Sequence, residues 1–259
     1  METSDTRLKA LLFDVDGTLA ETERHGHLPA YNLAFAEAGI PWRWDAALYG
    51  QLLAVTGSRE RMRHYGRQWR QPLPAVADED ALLRDLHRRK NAHYAAIVAS
   101  GALPLRPGVR RLIGEARAAG LRLAIVTTTS PENVSALLRH CLAPDAEQWF
   151  ELIAAGDIVP RKKPAPDIYH YALERMGLAA RDCLALEDSE NGVRACVAAG
   201  VPVLVTVGEY CTTHDFSGAA AVLDALGEPD QPPVQVLAGD WRAPCVSVPA
   251  LQAWFAGLR

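Results

Sequence analysis

The sequence lacks the long apolar run and the basic clusters by which two large classes of protein are first recognised. No apolar stretch approaches the roughly 20 residues that a membrane-spanning helix needs, and the opening residues METSDTRLKA lack the apolar segment of a signal peptide. The net charge is −4 at pH 7 without a basic stripe, so neither a nucleic acid nor a membrane is an expected partner. We therefore expect a cytoplasmic protein.

Cysteine is scarce and follows no pattern. The 259 residues include five cysteines, and none of them forms a Cys-x-x-Cys pair, which argues against a zinc site or a dithiol redox motif. Scattered thiols are typical of proteins from a reducing compartment. The motifs GxSxG, GK[ST], HExxH and GxGxxG are also missing, so the sequence signals of the corresponding hydrolase, nucleotide-binding and zinc-peptidase sites are absent.

Short apolar runs alternate with segments of helical periodicity along most of the chain. Four runs predict buried strands, and a fifth, weaker one lies at residues 150–155; the four are residues 10–13, 121–126, 183–186 and the run from Val201. Apolar residues make up 49% of the chain, which is enough for a sizeable core. Such an alternation predicts an α/β fold in which helices cover both faces of a parallel sheet.

One region departs from this alternation. Residues 23–103 show helical patterns, at 27–39, 45–55 and 78–99, and no convincing strand. The stretch LPLRPGV, with its two prolines, marks the return of the chain. We predict a core domain formed by residues 1–22 and 104–259 and a helical cap domain formed by residues 23–103. The tail after Gly227, GEPDQPPVQV, is predicted to be a surface loop.

Acidic and hydroxyl residues follow the predicted strands. Asp14 and Asp16 end the first strand, Thr127 and Thr128 end the second, and the pair Glu187 and Asp188 ends a third. In a parallel sheet these ends share one edge, where ligands bind. Oxygen ligands without histidine or cysteine favour Mg²⁺, and Lys163, together with the hydroxyls, suits a phosphate group.

These residue types predict phosphoryl transfer. The Asp14 carboxylate would attack phosphorus and form an aspartyl-phosphate, while Asp16 would protonate the leaving oxygen and then deprotonate water. Mg²⁺ would be held by Asp14, the backbone carbonyl of Asp16 and Asp188. Glu187 would help to position either the metal or its water, and Thr127 and Lys163 would bind the phosphoryl oxygens.

Each of these residues also has a simpler interpretation. An Asp-x-Asp pair begins a calcium-binding EF-hand loop, but Leu19 and His25 stand where that loop needs glycine and glutamate. The hydroxyls from Thr127 onward could cap a helix, and we expect Ser130 to be an N-cap. The acids at 187–188 could stabilise a helix N-terminus through its dipole. Lys162 is expected at the surface.

The ordered set DVDGT, Thr127 at a strand end, Lys163 in KKPAPD, and EDS at 187–189 resembles the haloacid-dehalogenase (HAD) superfamily. The helical insertion resembles the cap of its β-phosphoglucomutase-like branch. From Leu8 to about Val207, stretches such as GTLAETERHGH and AIVTTTSPENV look like the CbbY type of phosphatase. The resemblance implies an Mg²⁺-dependent phosphatase that removes the 1-phosphate of xylulose-1,5-bisphosphate, an inhibitor of ribulose-bisphosphate carboxylase.

The same resemblance assigns residues of the insertion to substrate binding. Glu23 and His27 would contact the sugar, and Arg59 takes the place of a lysine in the family's Gly-Gly-Lys-Glu-Arg stretch. Arg61 and Arg63 are expected on a solvated helix face, and three tryptophans are expected in the core of the insertion: Trp42, Trp44 and Trp69. We expect a monomer whose partner is a small sugar phosphate.

Three alternatives remain open at this point. A β-phosphoglucomutase-like phosphomutase would share both catalytic aspartates. A phosphatase for another small ester, such as phosphoglycolate, would share the whole motif set. A catalytically weak protein of the same fold could act by binding a partner.

Overall fold

A seven-stranded sheet organises the chain in the computed structural model, which describes residues 8–69 and 78–258. The strands are β1 (Ala10–Phe13), β2 (Arg122–Val126), β3 (Leu152–Ala154), β4 (Cys183–Glu187), β5 (Val203–Thr206), β6 (Ala221–Leu223) and β7 (Val236–Gly239). They lie in the order β3-β2-β1-β4-β5-β6-β7. All neighbours pair in parallel except β6 and β7, which are antiparallel.

The α/β fold class and the five predicted strands are confirmed. β1 lies inside the sheet, where Phe13 pairs with Ile125 on one side and Leu186 on the other. All four of its residues are buried, as expected for a strand covered on both faces. The prediction of a loop for the tail after Gly227 is wrong at its end, because Val236 begins β7.

Nine helices are described, and five of them cover the two faces of the sheet. The nine are α1 (Leu28–Glu37), α2 (Ala46–Leu52), α3 (Ser58–Gln68), α4 (Glu79–Ala99), α5 (Val109–Ala118), α6 (Pro131–Leu137), α7 (Asp167–Met176), α8 (Glu190–Ala198) and α9 (Val248–Phe255). Apolar residues of α5, α6 and α9 pack on one face, and those of α7 and α8 pack on the other. Among the described residues, no helix combines the length and the apolar character needed to cross a membrane.

Helices α1 to α4 follow β1 and pack on one another. Their aromatic core contains Trp42 and Trp44, both buried, which confirms that expectation. Trp69 is 37% exposed and stacks on Tyr65, so the prediction for this tryptophan is wrong.

The chain passes between these helices and the sheet twice, and the two passages are joined. Ala20 and Leu105 form an antiparallel bridge, and the Arg106 N–H donates to the Leu19 carbonyl at 2.8 Å. The helices α1 to α4 hold an apolar cluster of their own. That separate cluster supports our proposal that residues 23–103 form a cap domain on a core of residues 1–22 and 104–259.

Candidate active site

The carboxyl ends of β1 and β4 bring three buried carboxylates together. Asp14 directly follows β1, and its N–H donates to the Leu186 carbonyl at 3.0 Å. Glu187 ends β4 and Asp188 follows it. Asp14, Glu187 and Asp188 each place one oxygen within 4.8 Å of the others, and all three residues are nearly or fully buried.

Lys163 is the cation that faces this group. Its Nζ donates to Asp14 Oδ1 at 2.8 Å, Glu187 Oε1 at 2.6 Å and the Val126 carbonyl at 2.8 Å. These three bonds use all the donors of an ammonium group. Burial opposes its charge, but the attraction of Asp14 and Glu187 outweighs burial and raises the pKa of Lys163, so the side chain stays protonated.

The three carboxylates carry more negative charge than Lys163 can neutralise. Burial raises the pKa of Asp14 to about 7, against the pull of Lys163 and with the help of the Glu187 charge. Burial, followed by repulsion from Asp14 and Glu187, raises the pKa of Asp188 well above its usual value. A further cation at this point would remove the cost of burying these charges.

The surroundings of the carboxylates fit a divalent metal ion. Glu187 Oε2 is buried and accepts no hydrogen bond from any described residue. Gly17 and Gly208 enclose Asp188 so closely that a Cβ at either position would lie 2.2 Å or 2.7 Å from Asp188 Oδ2. A donor set of carboxylate oxygens without histidine suits Mg²⁺ better than Zn²⁺. This acidic group could therefore bind a divalent ion.

The Asp16 side chain turns away from the three carboxylates. Its Oδ1 accepts from the Thr22 hydroxyl at 2.5 Å and lies 3.0 Å from His27 Nε2. Burial would raise the pKa of Asp16, but the charge and hydrogen bond of His27 and the Thr22 hydroxyl outweigh it and lower the pKa. His27 is itself held by stacking on Tyr94, with 4.2 Å between ring centroids.

Two cavities meet at this edge of the sheet. One, of about 260 Å³, is lined by Asp14, Thr127, Lys163 and Asp188. The other, of about 290 Å³, extends between the sheet and helices α3 and α4. Asp16, Glu23, Arg61 and Thr128 line both cavities.

The residues assigned to substrate by resemblance all line the 290 Å³ cavity. Glu23 accepts a hydrogen bond from the Tyr49 hydroxyl. Arg59 donates to Asp157 at 2.6 Å, and about a third of its side chain is exposed. His27 lines this cavity together with Asp16, and its Nε2 lies 3.0 Å from Asp16 Oδ1.

Three further cations line the same cavity. Arg61, expected on a solvated face, is buried and donates to the Leu52 carbonyl at 3.1 Å and the Tyr49 hydroxyl at 3.2 Å, so that expectation is wrong. Lys162, expected at the surface, is mostly buried and pairs with Asp157 at 2.8 Å; that expectation is wrong as well.

Lys90 is the third cation, and the sequence interpretation missed it. Its Nζ lies 5.3 Å and 5.4 Å from the ring centroids of Tyr31 and Tyr94, and burial lowers its pKa to about 8. The buried residues of α4 are Leu83, Leu86, Lys90, Tyr94 and Val98. These residues are spaced three or four apart, as on the buried face of a helix. A lysine at one of these positions was the sequence signal for a buried cation.

Comparisons with known proteins agree with this geometry. A family model described as haloacid dehalogenase-like hydrolase matches residues 8–200. The chain is 48% identical to the plasmid-encoded protein CbbY of Cupriavidus necator, over 96% of this chain and 98% of that protein.

Two solved structures extend the comparison. Mutant CbbY from Rhodobacter sphaeroides in complex with xylulose-(1,5)bisphosphate is 43% identical, with a TM-score of 0.80 over 86% of this chain and 96% of that one. A putative β-phosphoglucomutase from Thermotoga maritima is 25% identical, with a TM-score of 0.61 over 83% of this chain and 93% of that one. The chain therefore belongs to the haloacid dehalogenase-like hydrolase family and is a phosphatase enzyme.

Proposed function

We propose that this phosphatase hydrolyses a small sugar phosphate with the help of Mg²⁺, and that its substrate is xylulose-1,5-bisphosphate, which loses its 1-phosphate. The observation that carries the proposal is the position of Asp14. Its carboxylate lies between a buried ammonium and two further carboxylates, at the floor of a cavity that continues toward several cations. The likeness to a CbbY structure that holds this bisphosphate supports the choice of substrate.

The proposed reaction has two displacements at phosphorus. The negative charge of the bound phosphate favours the protonated form of Asp16. An Asp14 oxygen forms a bond to phosphorus as the bond to the sugar oxygen breaks, and protonated Asp16 gives that oxygen its proton. Asp16 then takes a proton from water, whose oxygen attacks phosphorus and releases Asp14 with inorganic phosphate. The hydrogen bonds from Thr22 and His27 orient Asp16 for both transfers.

Other residues of the edge neutralise and orient the phosphoryl group. Lys163 is within hydrogen-bonding distance of Asp14 and stays charged, so it can balance the negative charge of the transferred group. Thr127 and Thr128 line the cavity beside it and would donate to phosphoryl oxygens. Mg²⁺, held by Asp14, Asp188 and the Asp16 carbonyl with Glu187 close by, would supply further charge neutralisation when bound.

A bisphosphate needs a second cationic region, and the 290 Å³ cavity offers one. Arg59 and Lys162 both pair with Asp157 at its rim. We expect Arg59→Ala to raise KM for the bisphosphate much more than KM for a small monophosphate. Equal effects on both substrates would contradict this orientation of the substrate.

A phosphomutase is the second candidate, favoured by the likeness to a putative β-phosphoglucomutase. It would return the phosphoryl group from Asp14 to the sugar rather than to water. Free phosphate and sugar-phosphate isomers, measured in the same reaction, distinguish the two. A phosphatase for another ester, such as phosphoglycolate, would release free phosphate from that ester faster than from any sugar phosphate.

The test is a phosphate-release screen over sugar monophosphates and bisphosphates with Mg²⁺, with Asp14→Asn as the blank. We expect the highest kcat/KM for xylulose-1,5-bisphosphate and no release by the blank. A wild type that releases no phosphate from any ester would favour the catalytically weak binding protein instead. We further propose that the enzyme acts in the cytoplasm as a monomer.

A further inference from the structure

Arg106 lies in the stretch that returns the chain to the sheet, and its guanidinium is buried, with 9% of the side chain exposed. Nη1 donates to the Gly17 carbonyl and, at 3.0 Å, to the Thr206 carbonyl. Nη2 donates to the carbonyls of Val207 at 2.8 Å and Asp224 at 3.1 Å.

The guanidinium also forms an ion pair, because Nε lies 3.3 Å from Glu21 Oε1. Arg106 thus has four backbone carbonyls and one carboxylate as partners. The partners come from the segments that follow β1, β5 and β6. A single side chain thus binds the segments after β1, β5 and β6 at the carboxyl edge of the sheet. It also contacts Glu21, in the stretch that leads from β1 to helices α1 to α4.

Arg106 binds the two segments that enclose Asp188, one at Gly17 itself and the other at Val207, the residue before Gly208. Gly17, whose carbonyl accepts from Arg106, approaches Asp188 from one side with a backbone φ of +80°, and a Cβ there would lie 2.2 Å from Asp188 Oδ2. Gly208 follows Val207 and approaches Asp188 from another side, where a Cβ would lie 2.7 Å away. Small displacements of either segment would change the space around the Asp188 carboxylate.

We propose that Arg106 is the positioning residue that fixes both segments around Asp188, so that the affinity of the site for Mg²⁺ depends on Arg106. The inference rests on the proposed function, since Asp188 is taken there as a metal ligand. Arg106 itself touches neither the substrate nor the metal in this proposal. It acts by holding backbone in place, in the way that residues behind a metal ligand commonly set its affinity.

The chain offers a matched control in Arg111. This arginine of α5 also binds backbone carbonyls, those of Gly227 at 2.6 Å and Val246 at 3.1 Å, and pairs with Glu228 and Glu115. Its partners lie in α5 and the C-terminal part of the chain, not at the carboxylate group. Loss of Arg111 should therefore reduce stability without changing the metal site.

The experiment titrates Mg²⁺ alone into the wild type, Arg106→Gln, Arg106→Lys and Arg111→Gln by isothermal calorimetry, and measures urea unfolding of each. We expect Arg106→Gln to weaken Mg²⁺ binding about tenfold or more. The Mg²⁺ affinity of Arg106→Lys should lie between those of the wild type and Arg106→Gln, because one ammonium group cannot reach all five partners. Arg111→Gln should keep the wild-type dissociation constant although it unfolds at lower urea.

The outcomes separate the two proposals. A wild type that binds no Mg²⁺ overturns the proposed metal site, and this inference with it. A wild type that binds, alongside Arg106 variants of unchanged affinity, overturns the inference alone. Equal losses in Arg106→Gln and Arg111→Gln also overturn it, because they would reflect general destabilisation. If Arg106→Gln does not fold, the comparison of Arg106→Lys with the wild type decides.

Discussion

At the scale of single residues, the Glu187 carboxylate is held on several sides. Its Oε1 accepts from Lys163 and from the Tyr169 hydroxyl, both at 2.6 Å. Gly192 of α8 leaves the room it occupies, since a Cβ on Gly192 would lie 2.0 Å from Glu187 Oε2. The position of this carboxylate, and through it that of Lys163, therefore depends on the absence of a side chain at residue 192.

The first prediction is that Gly192→Ala displaces Glu187. Forcing a methyl group into this packed space should cost about 1–3 kcal/mol of unfolding free energy. The displaced carboxylate would also pull Lys163 away from Asp14, so phosphate release should fall. Urea unfolding and the phosphate-release assay measure the two effects.

Gly114 provides the matched control. It lies in helix α5, and a Cβ there would meet no described atom within 4 Å. Gly114→Ala should therefore raise stability by roughly 0.5–1 kcal/mol through helix propensity and leave phosphate release unchanged. If both alanine variants changed stability and phosphate release alike, the close packing of Gly192 against Glu187 could not explain the effects of Gly192→Ala.

The same scale shows which residues a sequence reveals and which it does not. Asp14, Glu187 and Asp188 are visible because charged residues directly follow buried strands. The burial of Arg61 could not be foreseen, because its partners Leu52 and Tyr49 belong to helix α2. A neighbouring helix supplies the acceptors that allow a cation to be buried, and no local pattern records that.

At the scale of elements, the clearest strands were those whose sequences form unbroken buried apolar runs, whereas β6, which is buried but only three residues long, was not predicted. β1 and β4 are fully buried and read as unbroken apolar runs. β7 escaped prediction for the opposite reason. All four of its residues are exposed, and it pairs with β6 at the end of the sheet, so its sequence shows no pattern of burial.

The loop that follows β5 joins the sheet to helix α2. Tyr210 of this loop packs edge-to-face on Tyr49, with ring centroids 6.0 Å apart, and lies close to Gly50. Its hydroxyl has no hydrogen-bond partner among the described residues. One residue later, Cys211 Sγ lies 3.2 Å from Asp188 Oδ2. The loop thus contacts both the helices over the cavity and the carboxylate group.

The second prediction concerns this loop. Tyr210→Ala should lower the unfolding free energy by about 1–2 kcal/mol, less than for a fully buried aromatic residue, and raise KM because the contact with α2 is lost. Tyr210→Phe should match the wild type, since the hydroxyl makes no hydrogen bond with the described residues. A Tyr210→Phe variant as impaired as Tyr210→Ala would show that the hydroxyl, rather than the ring, matters.

At the scale of the whole molecule, the folded state gathers charges that the unfolded chain keeps apart. Three carboxylates are buried against one ammonium, and burial together with mutual repulsion raises the pKa of Asp188. Folding without metal therefore includes an electrostatic cost at the site. An ion that binds only the folded state removes that cost and adds its own binding free energy.

The third prediction follows from this cost. Mg²⁺ at a hundred times its dissociation constant should stabilise the wild type by about 2.7 kcal/mol, seen as a higher melting temperature. Asp188→Asn removes one of the repelling charges, so its metal-free melting temperature should exceed that of the wild type, whereas its response to Mg²⁺ should be small. Asp240→Asn, which changes an exposed carboxylate beside Trp254, should keep the wild-type response. Relative to the wild type, the melting temperature of Asp188→Asn should therefore be higher without Mg²⁺ and lower with it, as expected for a metal ligand. If residue 188 were only structural, the variant would be less stable than the wild type in both conditions.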